Sequence, residues 1–382
     1  MLSVKEETQN IKTRSSNIRL SLNRDKYSNL TMSFKSKSKI IIKLLFKVNF
    51  RELYNLFLAY LTMKRQPLKI KSSPLFLQVE TTNKCNFVCK MCYVNRERKN
   101  ENKKNLSVKN FKYILKRFPF AKVIILHGAG EPLINPSLIE MIRIAKKREL
   151  ITGFFSNGSL LNKKIANDII CLNLDWITFS VDSISKEMYE FIREKGNFDI
   201  LIDNMKYLLN LRNKLRKKTE INVLMVLMSY NIKELPKLLQ FFNDLRVDKV
   251  AVQRVHLTGD DLKRFSKFLV TDKDLIKKIR LESERKANQI RTKLVFQSYF
   301  LERNQKRRCD WPWVGPFITV EGFVTPCCVL SDYRIINFGN LFEEEFSEIW
   351  NNKKYQNFRK RLKSSKRPKE CFSCPYYSKT VF

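Results

Sequence analysis

Between residues 74 and 258 the chain repeats one rhythm six times, a short apolar run followed by a longer stretch whose apolar residues recur at helical spacing. The apolar runs fall at 75–81, 123–128, 151–156, 176–181, 221–227 and 250–255. Helical period marks 107–118, 136–147, 162–170, 198–217 and 232–245, with capping or Pro signals near most of the starts. Apolar strands alternating with helices build a parallel sheet, because parallel neighbours must be joined by crossovers that cover both faces. Six such units predict an α/β fold, a partial (β/α)6 barrel left open rather than closed with eight strands. Function is then expected at the C-terminal ends of the strands.

The nine cysteines are not scattered. Cys85, Cys89 and Cys92 form a C-x3-C-x2-C loop directly after the first strand. Cys309, Cys327, Cys328, Cys371 and Cys374 occupy the last quarter, and Cys171, inside the apolar run Ile169-Ile170-Cys171-Leu172, is expected in the core. Clustering of this kind points to metal. A disulfide framework belongs to short secreted chains, and no apolar leader follows Met1, so a reducing cytoplasm is the expected compartment. Three thiolates on one loop can hold three irons of a [4Fe–4S] cluster and leave the fourth open to a ligand. Structural zinc would want a fourth donor, and the only histidines are His127 and His256.

The cysteine loop, together with the motifs at the next three strand ends, resembles the radical S-adenosylmethionine (radical SAM) enzymes, whose partial (β/α)6 barrel carries such a loop after its first strand. His127-Gly128-Ala129-Gly130-Glu131-Pro132 after the second strand is similar to the family's Gly-Gly-Glu motif, with Ala129 where Gly is usual. Ser156-Asn157-Gly158 stands after the third strand. Ser180-Val181-Asp182 and Arg193 follow the fourth. The resemblance implies that Cys85, Cys89 and Cys92 hold the SAM-binding cluster. It implies that Gly128, Ala129, Gly130, Glu131, Ser156, Asn157, Ser180, Asp182 and Arg193 surround SAM, Glu131 and Arg193 facing its amine and carboxylate. A low-potential donor such as flavodoxin or ferredoxin would supply the electron, and the radical made from SAM would abstract hydrogen from a substrate.

The C-terminal cysteines are similar in order and flanks to the SPASM extension of the same enzymes, including the Gly322-x4-Cys327 spacing and the Gly339-Asn340…Ile349-Trp350 segment. That resemblance implies one auxiliary [4Fe–4S] cluster on Cys309, Cys327, Cys371 and Cys374, with Cys328 spare. A zinc site built from four cysteines is the rival. The expected domains are a basic N-terminal tail and amphipathic helix (1–73), the barrel (74–258), a charged, mostly helical linker (259–308) and the auxiliary-cluster domain (309–382).

Lys and Arg outnumber Asp and Glu by 74 to 37, a formal charge of +37 that is densest before residue 77. Heavy use of Lys, Asn and Ile fits AT-rich coding, which puts Lys on any solvated face. Residues 38–65 turn apolar, yet Lys43, Lys47, Arg51 and Glu52 interrupt them, so a membrane span is not expected. Two readings remain, a helix packed under the barrel or a basic helix resting peripherally on anionic membrane. No separate RNA-binding module is visible, and nucleic acid is not the expected partner. The resemblance leaves the substrate open. A sugar-like hydroxylated small molecule is placed first, because one auxiliary cluster suits small-alcohol dehydrogenases. A peptide or protein maturase is the alternative, and a non-catalytic metal scaffold on nucleic acid the reading from another class. Residues 1–73 look too short for the peptide-binding domain that such maturases often carry.

Overall fold

β1 (Phe76–Val79) is the strand at which two parts of one sheet meet. On one side follow β2 (Val123–Leu126), β3 (Ile151–Ser156), β4 (Trp176–Ser180), β5 (Glu220–Leu227), β6 (Lys249–Arg254) and β7 (Leu294–Phe296), each parallel to its neighbour. On the other side β8 (Phe317–Ile318) runs parallel to β1 and pairs antiparallel with β9 (Val324–Thr325). The order β7-β6-β5-β4-β3-β2-β1-β8-β9 leaves two edges, so the barrel is open. The structure is a computed structural model and describes residues 49–92, 102–255, 266–296, 309–364, 366–371 and 374.

The crossovers are α2 (Val108–Arg117), α3 (Leu138–Lys147), α4 (Lys163–Cys171), the pair α5 (Lys186–Ile192) and α6 (Phe198–Lys214), α7 (Leu235–Asp244) and α8 (Lys273–Gln289), preceded by α1 (Phe50–Arg65). Side chains of Ser107, Asn162, Ser185, Asn197 and Asp272 accept the free N–H groups of the first turns, which is why these helices start where they do. With only nine glycines, the left-handed residue that ends a helix falls elsewhere, on Glu149, Asn173, Arg216, Arg246 and Arg291. One face of the sheet packs on the helices through Leu77, Val79, Ile124, Leu126, Phe154, Ile177, Phe179, Val223 and Val250, all buried.

Three differences from the sequence reading have physical causes. The charged stretch before residue 303 contributes a strand, β7, as well as α8. The segment after Cys309 extends the barrel's own sheet through β8. Cys171 is exposed rather than in the core, because α4 turns Ala166, Ile169 and Ile170 inward and its last residue outward.

The chain divides into two units, 1–53 and 54–382; of the first, only residues 49–53 are described, at the opening of α1. Residues 1–48, with the predicted tail, and His256 lie outside the described residues. In the second unit, Asn55 exchanges two hydrogen bonds with the backbone of Ser73 (2.7 and 3.2 Å), and Thr62 meets the Ser72 hydroxyl at 3.2 Å. These bonds dock α1 on the chain leading into β1. Among the described residues no helix is long and apolar enough to cross a membrane.

Candidate active site and a second cysteine cluster

The loop bearing Cys85, Cys89 and Cys92 leaves β1 at its C-terminal end and is held from three sides. From the β2 loop, the Gly130 and Glu131 N–H groups donate to the carbonyls of Thr82 and Lys84, at 3.2 and 2.8 Å. From the end of β3, Asn157 Nδ2 donates to Asn86 Oδ1 (2.9 Å), and Asn86 Nδ2 donates to Ser159 Oγ (2.9 Å). From the end of α5, the carbonyls of Glu194 and Ile192 accept from Val88 and Lys90 N–H, both at 3.0 Å. Cys89 thus sits between two backbone hydrogen bonds to the segment that carries Arg193.

Each glycine of the second-strand motif has a packing reason. A Cβ on Gly130 would lie 2.2 Å from the Lys84 carbonyl oxygen and 2.6 Å from that of Thr82, backbone atoms that cannot swing away. On Gly128 it would meet the Glu80 side chain at 2.4 Å. Ala129 is buried and donates its N–H to Glu80 Oε1 at 2.8 Å. Gly130→Ala should cost about 1–3 kcal/mol and lower the iron retained after reconstitution, measured by thermal unfolding and iron assay, with Ala129→Gly as the mild control.

Glu131 is buried beneath this loop. Its Oε1 accepts from Ser156 Oγ (2.8 Å) and Leu133 N–H (3.1 Å), and its Oε2 from Asn157 N–H (2.7 Å). A carboxylate offers about four acceptor sites, so one remains for a ligand donor. Burial pushes its carboxyl up to about 6, against the pull of those hydrogen bonds. Ser156 and Asn157 are buried and engaged with Glu131, and Ser180 closes β4 with its side chain partly exposed. Asp182 is wholly buried. Its Oδ1 accepts from Val226 N–H (2.8 Å), and its Oδ2 pairs with Arg193 Nη2 at 2.8 Å. Arg193 Nη1 points its proton at Cys89 Sγ, 3.9 Å away. Burial raises the thiols of Cys85 and Cys89 to about 11 and about 12, so both are protonated at neutral pH until metal displaces the proton.

Two features of this region had weak sequence signals. Glu80, at the end of an apolar strand, joins the two parts of the sheet, Oε1 on Ala129 N–H and Oε2 on Val320 N–H at 3.1 Å. A charged residue at an inward strand position was its only mark. The His127 ring lies tilted against that of Phe155 (5.0 Å between centroids), and its buried Nδ1 has no hydrogen-bond partner among the described residues. Burial lowers its pKa to about 4, so the ring is neutral.

The second cluster forms where the C-terminal segment folds back. Gly322, with φ of +91°, turns β8 into β9, and Cys327 follows directly. Cys309, Cys327, Cys371 and Cys374 line one small apolar cavity together with Trp311, Pro312, Phe358 and Leu362. Burial pushes the thiols of Cys309 and Cys327 well above the ordinary range and that of Cys371 to about 12. Cys328 is not in that wall; its side chain meets Gln78 of β1. Among the described residues no three His, Cys, Asp or Glu side chains converge on a point for a single metal ion. A four-iron cluster sets a different condition, since each thiolate binds its own iron and the sulfurs stand apart.

Residues 79–242 match the family model of the radical SAM superfamily, and residues 309–375 that of an iron-sulfur cluster-binding domain, SPASM. The chain belongs to the radical SAM superfamily. This radical SAM enzyme is 25% identical over 306 residues to the tungsten-containing aldehyde ferredoxin oxidoreductase cofactor-modifying protein of Pyrococcus furiosus, covering 74% of this chain and 83% of the relative. It is 24% identical over 321 residues to the PqqA peptide cyclase of Bradyrhizobium diazoefficiens, covering 79% of each. Its fold is similar to that of Streptococcus suis SuiB bound to S-adenosylmethionine (TM-score 0.65, 17% identity, 87% of this chain and 80% of SuiB) and of SuiB bound to the precursor peptide SuiA (TM-score 0.63, 16% identity, 91% and 87%). Its cofactors are SAM, a [4Fe–4S] cluster that binds it, and auxiliary iron–sulfur. The residues fit those groups, with three thiols on a latched loop beside a buried cation, a glycine cradle with no room for a Cβ, and four thiols around one apolar cavity.

Proposed function

We propose that this enzyme is a peptide or protein maturase that starts its reaction by hydrogen abstraction. The observation that carries the reading is the likeness to a peptide cyclase over four fifths of both chains. The SuiB fold, in a structure bound to its precursor peptide, supports it. On this likeness the peptide reading is preferred to the sugar-like substrate expected first from the sequence.

In this reading Cys85, Cys89 and Cys92 hold three irons of the SAM cluster, and Cys309, Cys327, Cys371 and Cys374 the auxiliary one. When bound, the first cluster supplies the electron that cleaves SAM and produces the hydrogen-abstracting radical. The chain's own residues do the positioning. Glu131, fixed by Ser156 and Asn157, keeps one acceptor position for the SAM amine, and Gly128–Gly130 let the backbone approach it closely. Ser180 and Arg193 face the ribose and carboxylate side, and the buried Asp182 holds Arg193 there. The barrel core is assigned to 74–258, with β7 and β8 extending its sheet, and the cluster domain to 309–382, with flavodoxin or ferredoxin as the electron donor and the cytoplasm as compartment.

The test uses anaerobically reconstituted protein with SAM, dithionite and the fraction below about 10 kDa of a host extract, untreated or digested with a protease that is then inactivated. 5′-Deoxyadenosine release should rise several-fold with the untreated fraction and return to the basal rate after digestion. Stimulation that survives digestion, or that purified sugars reproduce, overturns the peptide reading.

A further inference from the structure

Arg193 is placed by backbone rather than by chance of rotamer. It ends α5, donating its N–H to the Tyr189 carbonyl, while its own carbonyl accepts from Gly196 N–H at 2.7 Å. Its neighbours Ile192 and Glu194 pair with Lys90 and Val88, the residues on either side of Cys89. The guanidinium is buried, 7% exposed, between Cys89 Sγ at 3.9 Å and the Asp182 carboxylate at 2.8 Å. Asp182 is itself pinned, by Val226 N–H on Oδ1 and by Asn231 Nδ2 on its carbonyl, both at 2.8 Å. A buried cation is therefore held against the Cys89 sulfur with a buried carboxylate behind it, both withdrawn from water, where charges are little screened.

We infer that the Asp182–Arg193 pair sets the reduction potential of the SAM-binding cluster through Cys89, Arg193 raising it and Asp182 lowering it. The inference rests on the reading of Cys85, Cys89 and Cys92 as ligands of that cluster. It is distinct from contact with the SAM carboxylate, because it operates before SAM binds. Reduction adds one electron to the cluster from a low-potential donor and no proton to Arg193, which stays charged throughout. The added negative charge is stabilised by the N–H···S contact and opposed by the carboxylate behind it.

The test is a redox titration of the reconstituted full-length protein without SAM, followed by electron paramagnetic resonance. The signal of the SAM cluster is the one missing from the variant with all three of Cys85, Cys89 and Cys92 changed to Ala; if that variant keeps both signals, the ligand reading fails and not the tuning. Arg193→Gln should disfavour reduction about tenfold, a fall of about 59 mV for one electron. Asp182→Asn, which keeps an acceptor for Val226, should favour reduction about tenfold, and Arg193→Lys should lie between wild type and Arg193→Gln. Shifts of opposite sign are not produced by a loosened loop. Unchanged potentials, or shifts of the same sign, in variants with wild-type iron content overturn the inference. Should Arg193→Gln retain no cluster, Asp182→Asn decides alone, a raised potential supporting the inference and an unchanged or lowered one overturning it.

Discussion

Any one of Cys85→Ala, Cys89→Ala and Cys92→Ala is expected to reduce 5′-deoxyadenosine release as far as the triple variant does, to less than about 1% of wild type, because residues acting as one unit fail together. In the proposed ligand set each thiolate would bind a different iron, so losing one would open the cluster rather than weaken it by a third. The flanking carbonyls of Thr82 and Lys84 are already engaged by Gly130 and Glu131 N–H groups. Iron should fall from about eight to about four atoms per chain, as one four-iron cluster of two is lost. Four irons remaining, with the protein folded, separates this result from general collapse. Wild-type release from a single variant would remove that cysteine from the ligand set. The raised thiols add a direction with pH. Cys85 and Cys89, at about 11 and about 12, must lose protons to bind iron, so cluster uptake at fixed iron and sulfide should improve from about pH 6.5 to about 8.5.

The barrel was legible because β1 to β5 are mostly apolar runs, and β6 an alternating one, that stand out between helices that bury one face. The missed strands are those with no room for a pattern. β8 and β9 have two residues each, and β7 has three partly buried ones in a charged stretch. The short helix α5 was read only as the carrier of Arg193. At the site, spacing announced the cysteines, yet it could not show how they are held. The latch from Asn86 to Asn157 and Ser159, and the bridge from Glu80 to Val320 across 240 residues, exist only once the strand ends are side by side. Spacing also could not place Asp182, a residue that the resemblance put near SAM. It is wholly buried and committed to Arg193 and Val226, so its influence on the site passes through Arg193.

Arg359→Ala is expected to cost about 3–5 kcal/mol, because it both opens a cavity in the core and leaves carbonyls without their donor. In the sequence it sits in the basic run Phe358-Arg359-Lys360-Arg361, which reads as a solvated face. Its place on α11 (Lys353–Lys363), four residues after Tyr355 and next to Phe358, puts it instead on the buried stripe with Leu362, and it is 0% exposed. The guanidinium stacks on Trp350 of α10 (Phe346–Asn351) and on Tyr355, 4.5 and 4.2 Å from their ring centroids. It donates to three carbonyls, Pro312 and Leu68 at 3.0 Å and Trp350 at 2.7 Å. Burial lowers its pKa to about 10, still far above neutrality, so the charge persists and the carbonyl dipoles share it. Alanine would leave a void and strip two buried acceptors, and a third partly buried one, of their donor. Methionine would fill the space without restoring a donor, and lysine would keep the charge while reaching fewer carbonyls, so the cost should fall in the order Ala, Met, Lys. Pro312, with Trp311 of α9 (Trp311–Val314), walls the second cysteine cavity on one side, and Phe358 and Leu362 wall it on another. Loosening the joint between them should therefore lose the auxiliary cluster while the SAM cluster signal remains. Thermal unfolding and iron content measure both effects, and a wild-type melting temperature in Arg359→Ala would show that the carbonyl network carries no stability.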